Sequence, residues 1–248
     1  MNPHQLESAL ASWGQPVVLQ SLSGGYRNRA WLIQSGSQLY VAKTTRRCES
    51  AMQWLNSVFD AAESVGFVVP RLIPSQVGSL VVNGLTVEPY IDDEPGTAAN
   101  LLELIPLIFQ FHKLTSHLPQ RPTFASSIQL LEQDTGGDVD FSSMPSHLVV
   151  SCRQAWRTLA QKPQSVVHGD LNPSNILITP DKRPALIDWD ESRVDLSCFD
   201  WLAIAKEGQA APEERQALLA WEIAVCWHVE PDYAQKLAQE FIKYKDHP

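Results

Sequence analysis

Long apolar runs are missing from this chain. No stretch reaches the roughly 18 residues that a membrane helix needs, so no membrane partner is expected. Positive charge is scarce as well. Lys and Arg total 19 against 28 Asp and Glu, a formal net charge of −9. That balance argues against a general nucleic-acid-binding surface. Cysteine is sparse: Cys48, Cys152, Cys198 and Cys226 are scattered and form no C-x-x-C pair. A reduced, cytoplasmic setting is the expectation that follows. The opening residues Met1 to Glu7 carry neither a basic flank nor an apolar run, so no secretory signal is expected. Internal repeats and low-complexity tracts are absent too. What remains is 248 residues, 44% apolar and 19% charged, enough for one large domain or two small ones with a real core.

The texture changes along the chain. Val17–Leu22, Ala30–Ile33 and Leu39–Ala42 read as strands, with Gln34-Ser35-Gly36-Ser37 as a turn. From Glu49 to Val65 the apolar period lengthens: Met52, Leu55, Phe59 and Ala62 recur every three or four residues, as on a helix with one buried stripe. Gly66 and Pro70 stop that helix. Asn83-Gly84 between Leu80-Val81-Val82 and Leu85-Thr86-Val87 predicts a tight hairpin. Past Glu88–Gly96 the pattern is mostly helical, which places a boundary there and suggests lobes of 1–91 and 92–248. In the second part, 132–146 reads as an exposed loop, Val149–Leu159 as a helix, and 176–187 as a small hairpin among helices. Pro212 followed by Glu213 and Glu214 opens another helix, and Tyr233, Leu237, Phe241 and Tyr244 mark the last.

Chemistry concentrates in His168-Gly169-Asp170-Leu171-Asn172-Pro173-Ser174-Asn175, followed by Ile187-Asp188-Trp189-Asp190. Two oxygen-bearing side chains from a loop and a third from a strand end suit a hard divalent cation such as Mg²⁺, with phosphate oxygens completing its shell. Asp170 is placed to orient an acceptor hydroxyl and take its proton. As turn and capping residues alone, this set would be a coincidence of residue types and spacing.

The segment resembles the catalytic loop and metal motif of the aminoglycoside phosphotransferase and choline kinase family, small-molecule relatives of the protein kinases. That family writes H-G-D-x-x-x-x-N and an I-D-W/F-x element, and both stand here at 168–175 and 187–190. The resemblance implies an α+β, protein-kinase-like bilobal fold, with an N-terminal antiparallel sheet carrying one helix and a mainly helical C-terminal lobe. It implies Asp170 as the catalytic or substrate-orienting residue, His168 as support for the loop, and Asn175 and Asp188 as ligands of Mg²⁺. It further implies that Ser23-Gly24-Gly25-Tyr26-Arg27-Asn28 turns over nucleotide phosphates, with Gly24, Gly25 and Asn28 at the nucleotide. No G-K-S or G-K-T follows, so this is not a P-loop. Lys43, two residues after Val41 on one strand face, is implied to meet the α and β phosphates, with Glu49 as its helix partner and Glu63 the next choice. Glu88, Tyr90 and Ile91 match the hinge that holds adenine. Asp200 resembles the buried aspartate that braces the catalytic loop.

No Ala-Pro-Glu element follows Asp188, and Asp188 and Asp200 are close in sequence, which favours a small hydroxylated acceptor over polypeptide. The expected reaction is in-line transfer from ATP, with GTP as an alternative donor, to an amino sugar, a choline- or thiamine-like alcohol, or a sugar. A nucleotide-binding scaffold without turnover and a protein kinase are the alternatives. Asp190, Glu191 and Glu222 are the candidate acidic contacts for the acceptor. Trp221, Trp227 and Tyr233 read as core in preference to a cation-binding cage. After Asp190 the family often carries a G-D-P-like turn; here Glu191-Ser192-Arg193-Val194-Asp195-Leu196-Ser197 stands instead.

Overall fold

Strands and helices fall where the hydrophobic period changes. The computed structural model describes residues 3–22, 28–91, 94–205 and 209–246. A short helix α1 (Pro3–Leu10) precedes strands β1 (Val17–Leu22), β2 (Ala30–Ser35) and β3 (Gln38–Thr44). Helix α2 (Glu49–Ser64) follows, then β4 (Leu85–Pro89) and the two-residue β5 (Glu94–Pro95). Next come α3 (Ala98–Glu103) and α4 (Ile105–Thr115), the short strands β6 (Thr135–Gly136) and β7 (Val139–Asp140), and α5 (Ser146–Arg157). Strands β8 (Gln164–Val167), β9 (Ile176–Ile178), β10 (Pro184–Leu186) and β11 (Arg193–Leu196) lead into α6 (Cys198–Ile204), α7 (Pro212–Cys226) and α8 (Pro231–Asp246).

Two compact units result: residues 1–94 with 177–187, and residues 95–176 with 188–248. This corrects the expectation that 92–248 forms one lobe. The hairpin of β9 and β10 lies with the first unit because its edge is already taken there. Val68 N–H donates to the Pro184 carbonyl and Leu186 N–H to the Val68 carbonyl, both at 2.9 Å.

In the first unit β1 to β4 form an antiparallel sheet in sequence order. The predicted stripe of α2 is buried: Met52, Leu55, Phe59 and Ala62, joined by Ala51 and Val58. One expectation fails in an informative way. Asn83 and Gly84 do turn with positive φ (50° and 72°), but the first arm forms only the bridge Val82–Leu85. The amides of Leu80 and Val81 donate instead to the Glu49 carboxylate, at 3.0 and 2.9 Å. A side chain has captured the donors that a ladder would have used.

In the second unit α5, α7 and α8 pack around Trp156, Phe199, Trp221 and Phe241, all buried. Trp156 donates its ring N–H to the Ala217 carbonyl at 3.0 Å. Trp221 is core as expected, Trp227 is half-buried, and Tyr233, expected in the core with them, is exposed on α8. The expected loop 132–146 is more ordered than its composition implied. It folds into the β6–β7 hairpin, and Val139, Phe141 and Met144 are buried. Pro106 opens α4 instead of kinking a longer helix.

Removing the Glu49 carboxylate strands two backbone donors, one of them on buried Leu80. Glu49→Ala should therefore cost about 1–3 kcal/mol and speed hydrogen exchange at the Leu80 and Val81 amides. Unchanged exchange at both amides would contradict the capture.

Candidate functional site

The predicted residues fall into two groups, one in each unit. In the second unit the strand β8 delivers the chain to His168, and the loop that follows is pinned from below. Asp200, in the first turn of α6, is buried at 2% exposure. Its Oδ2 accepts from the His168 amide at 2.9 Å and lies 3.0 Å from His112 Nε2; its Oδ1 accepts from the Gly169 amide at 3.1 Å. Burial pushes this carboxyl up. The hydrogen bond and charge of His112 and the Gly169 amide outweigh burial and hold it below its ordinary value. His112 Nδ1 is buried and has no hydrogen-bond partner. Gly169 has φ +88°, and a Cβ there would stand 2.8 Å from the Glu191 carbonyl oxygen, so only glycine fits between the two segments.

Above this anchor the loop is knitted by short polar bonds. Asp170 is exposed, and its amide donates to His168 Nδ1 at 3.3 Å. The His168 ring is buried against Trp189, and that nitrogen's lone pair is committed inside the loop, which suits a supporting role. Asn175 Nδ2 donates to the Asp170 carbonyl at 2.9 Å and to its Oδ2 at 2.8 Å. Both acceptors lack protons, so the amide is fixed in one sense and its Oδ1 is left as an oxygen donor. Asn172 caps the 3₁₀ turn Pro173–Asn175 by accepting from the Ser174 amide, while its Nδ2 donates to Asp170 Oδ1 at 2.9 Å. The Asp170 carboxylate is thereby held at both oxygens.

Asp188 begins the second segment in the left-handed region, at φ 63° and ψ 62°. The turn after it is clasped by Arg121, whose Nη1 donates to the carbonyls of Trp189, Asp190 and Ser192 at 3.2, 2.9 and 3.0 Å. Asp190 and Glu191 are half-buried in that turn, and Glu222 is half-buried on α7. The departure at 191–197 contains strand β11, Arg193–Leu196, paired with β8. Its Arg193 and Asp195 are buried and bond at 2.8 Å, and the guanidinium stacks 3.5 Å from the Trp221 ring centre.

In the first unit Val41 and Lys43 lie on β3, where Val41 faces Glu88 of β4. Lys43 Nζ lies 2.8 Å from Glu88 Oε1. This corrects the expected pairing of Lys43 with Glu49, whose carboxylate is held by Leu80 and Val81. Glu63, the next choice, is paired with Arg71, as is Asp60. Tyr90 continues from β4, its amide donating to the Leu39 carbonyl at 3.1 Å, and Ile91 follows. Asn28 lies just before β2. Gly24 and Gly25 lie outside the described residues.

Asn175 offers an amide oxygen and Asp188 a carboxylate, both hard donors of the kind Mg²⁺ accepts. Among the described residues no three His, Cys, Asp or Glu side chains gather into a metal site, so phosphate and water oxygens would have to complete the shell. His112, Asn172 and Arg121 escaped the sequence reading. Asn172-Pro173 carried a usable signal, a capping residue before a proline. A lone helical histidine and a lone arginine carried none.

The model of the phosphotransferase enzyme family matches residues 18–235. No curated protein matches the sequence. Solved structures do. A choline kinase, LicA, from Streptococcus pneumoniae is 15% identical with a TM-score of 0.61, over 96% of each chain. A microcompartment-associated aminopropanol kinase is 14% identical with a TM-score of 0.61, over 98% of this chain and 94% of its own. A spectinomycin phosphotransferase, APH(9)-Ia, solved with ADP and spectinomycin, is 15% identical with a TM-score of 0.55, over 98% and 93%. These likenesses carry the fold: α+β, of the protein-kinase-like bilobal class.

The Asp200 carboxyl is held low, so its ionised form contributes stability in full above the ordinary carboxylate range and loses it as pH falls through the lower folded value. Asp200→Asn should cost on the order of 3 kcal/mol at neutral pH. The gap to the parent protein should close only below about pH 4. Melting curves across pH 3–8 measure it; a gap that widens in acid would contradict the assignment.

Proposed function

The chain belongs to the phosphotransferase enzyme family, and on that premise we propose that it moves the γ-phosphate of ATP to a hydroxyl of a small, amine-bearing alcohol. The observation that carries the reading is the Asp170–Asn175 contact. An exposed carboxylate is held at both oxygens, beside an amide whose oxygen is turned free. The first arrangement suits orienting a hydroxyl and accepting its proton. The second suits a ligand to Mg²⁺. Asn175 and Asp188 would hold the ion, which when bound supplies positive charge to the phosphate oxygens. Lys43 would meet the α and β phosphates, Val41, Tyr90 and Ile91 the base, and Asn28 with Gly24 and Gly25 the phosphates. Asp200 and His168 act on the loop. Most of the acceleration would come from alignment and fixed charge, since the loop's carboxylate is oriented before a substrate arrives.

Support for the donor comes from neighbours solved with ADP and with AMP. Support for the acceptor class comes from neighbours described as kinases of choline and aminopropanol and a phosphotransferase solved with spectinomycin, together with the net charge of −9. Asp190, Glu191 and Glu222 are the carboxylates we assign to an ammonium group on the acceptor.

Incubation with labelled ATP and Mg²⁺ against choline, aminopropanol, thiamine, amino sugars and simple sugars tests the reading. We expect label in an amine-bearing alcohol. Label in polypeptide alone would return a protein kinase, and nucleotide binding with no turnover would return a scaffold. Asp170→Ala should lower kcat by about a thousandfold or more while ADP affinity stays within about threefold. Asp188→Ala should weaken nucleotide binding in the presence of Mg²⁺ but not in its absence. Equal losses in both conditions would remove Asp188 from the metal.

A further inference from the structure

Lysine partners in this fold were expected from α2, yet α2 has none to offer. Its acids are Glu49, Asp60 and Glu63. Glu49 accepts from the Leu80 and Val81 amides. Asp60 and Glu63 are both paired with Arg71, at 2.6 and 2.7 Å. The carboxylate beside Lys43 comes from within the sheet. Val41 stands opposite Glu88 and Lys43 opposite Thr86, so Glu88 lies diagonally across the ladder from Lys43 on the same face. The 2.8 Å contact is sheltered, with the two side chains 21% and 12% exposed.

We propose that Glu88 is the positioning residue of Lys43, in place of a glutamate from α2. The inference rests on Lys43 being the phosphate-contacting residue of the proposed reaction. It changes what controls that lysine. Both partners sit on adjacent hydrogen-bonded strands, so the direction of the ammonium group is set by strand register and is independent of where α2 lies. It also gives the Glu88 side chain a role distinct from hinge contact with the base.

The test is Mg²⁺-ATP turnover, as transfer or as hydrolysis without acceptor, together with adenosine binding by calorimetry. Four variants are compared: Lys43→Met, Glu88→Gln, Glu88→Asp and the double variant Lys43→Met/Glu88→Gln. Glu88→Gln should lower kcat about tenfold with the ATP KM shifted less than about threefold, and Glu88→Asp should recover part of the loss. In the Lys43→Met background Glu88→Gln should add nothing, because the group it positions is gone. Adenosine affinity should not move. Additive losses, full turnover in Glu88→Gln, or weakened adenosine binding would each overturn the inference. Lys43→Met with full turnover would instead overturn the proposed reaction site itself. Melting curves accompany each variant, and if Glu88→Gln unfolds at the assay temperature, the comparison of Glu88→Asp with and without Lys43→Met decides.

Discussion

A carboxylate without access to water has to be answered by donors, and Asp200 is answered from two directions. The amides of His168 and Gly169 come from the loop, and the ring of His112 comes from α4. Taking away the carboxylate would leave all three polar groups unmatched, two of them on the buried residues His168 and His112. The loop is therefore held by its backbone at one end. From that fixed end Asp170, Asn172 and Asn175 can bond to one another in a single pattern. Electrostatic necessity in the core thus becomes orientation at the surface, where Asp170 is exposed.

The same economy of partners recurs in the first unit. Glu49 could have served Lys43 or the backbone of residues 80–81, and it serves the backbone. With Arg71 drawing off the remaining acids of α2, the lysine finds its counter-charge on β4. Local hydrogen-bond demand has decided which acidic residue is left for chemistry.

Much of the fold was legible because it rests on periodicity. The α2 stripe, the strands at 17–44 and the helix opened by Pro212 all follow from where apolar residues repeat. The family motif at 168–175 and 187–190 named Asp170, Asn175 and Asp188, and Asp200 was placed by its likeness to a buried brace. Illegible were choices among equivalent partners. Nothing in the residue order says that Glu49 prefers amides to an ammonium group. Nor does it say that Arg193 and Asp195 turn inward together, since charged residues usually mark a solvated face. The 132–146 segment misled for the opposite reason: its glycines and aspartates hide the few apolar residues that tie it down.

The placement of the β9–β10 hairpin bears on how the chain is made. Residues 177–187 belong to a unit whose other members end at 94. As the polypeptide emerges from the ribosome, the first unit cannot acquire residues 177–187 until more than eighty residues beyond 94 have been synthesised. Neither unit is a contiguous fragment that can be cut out by truncation. A single contiguous gene segment therefore could not carry either unit whole.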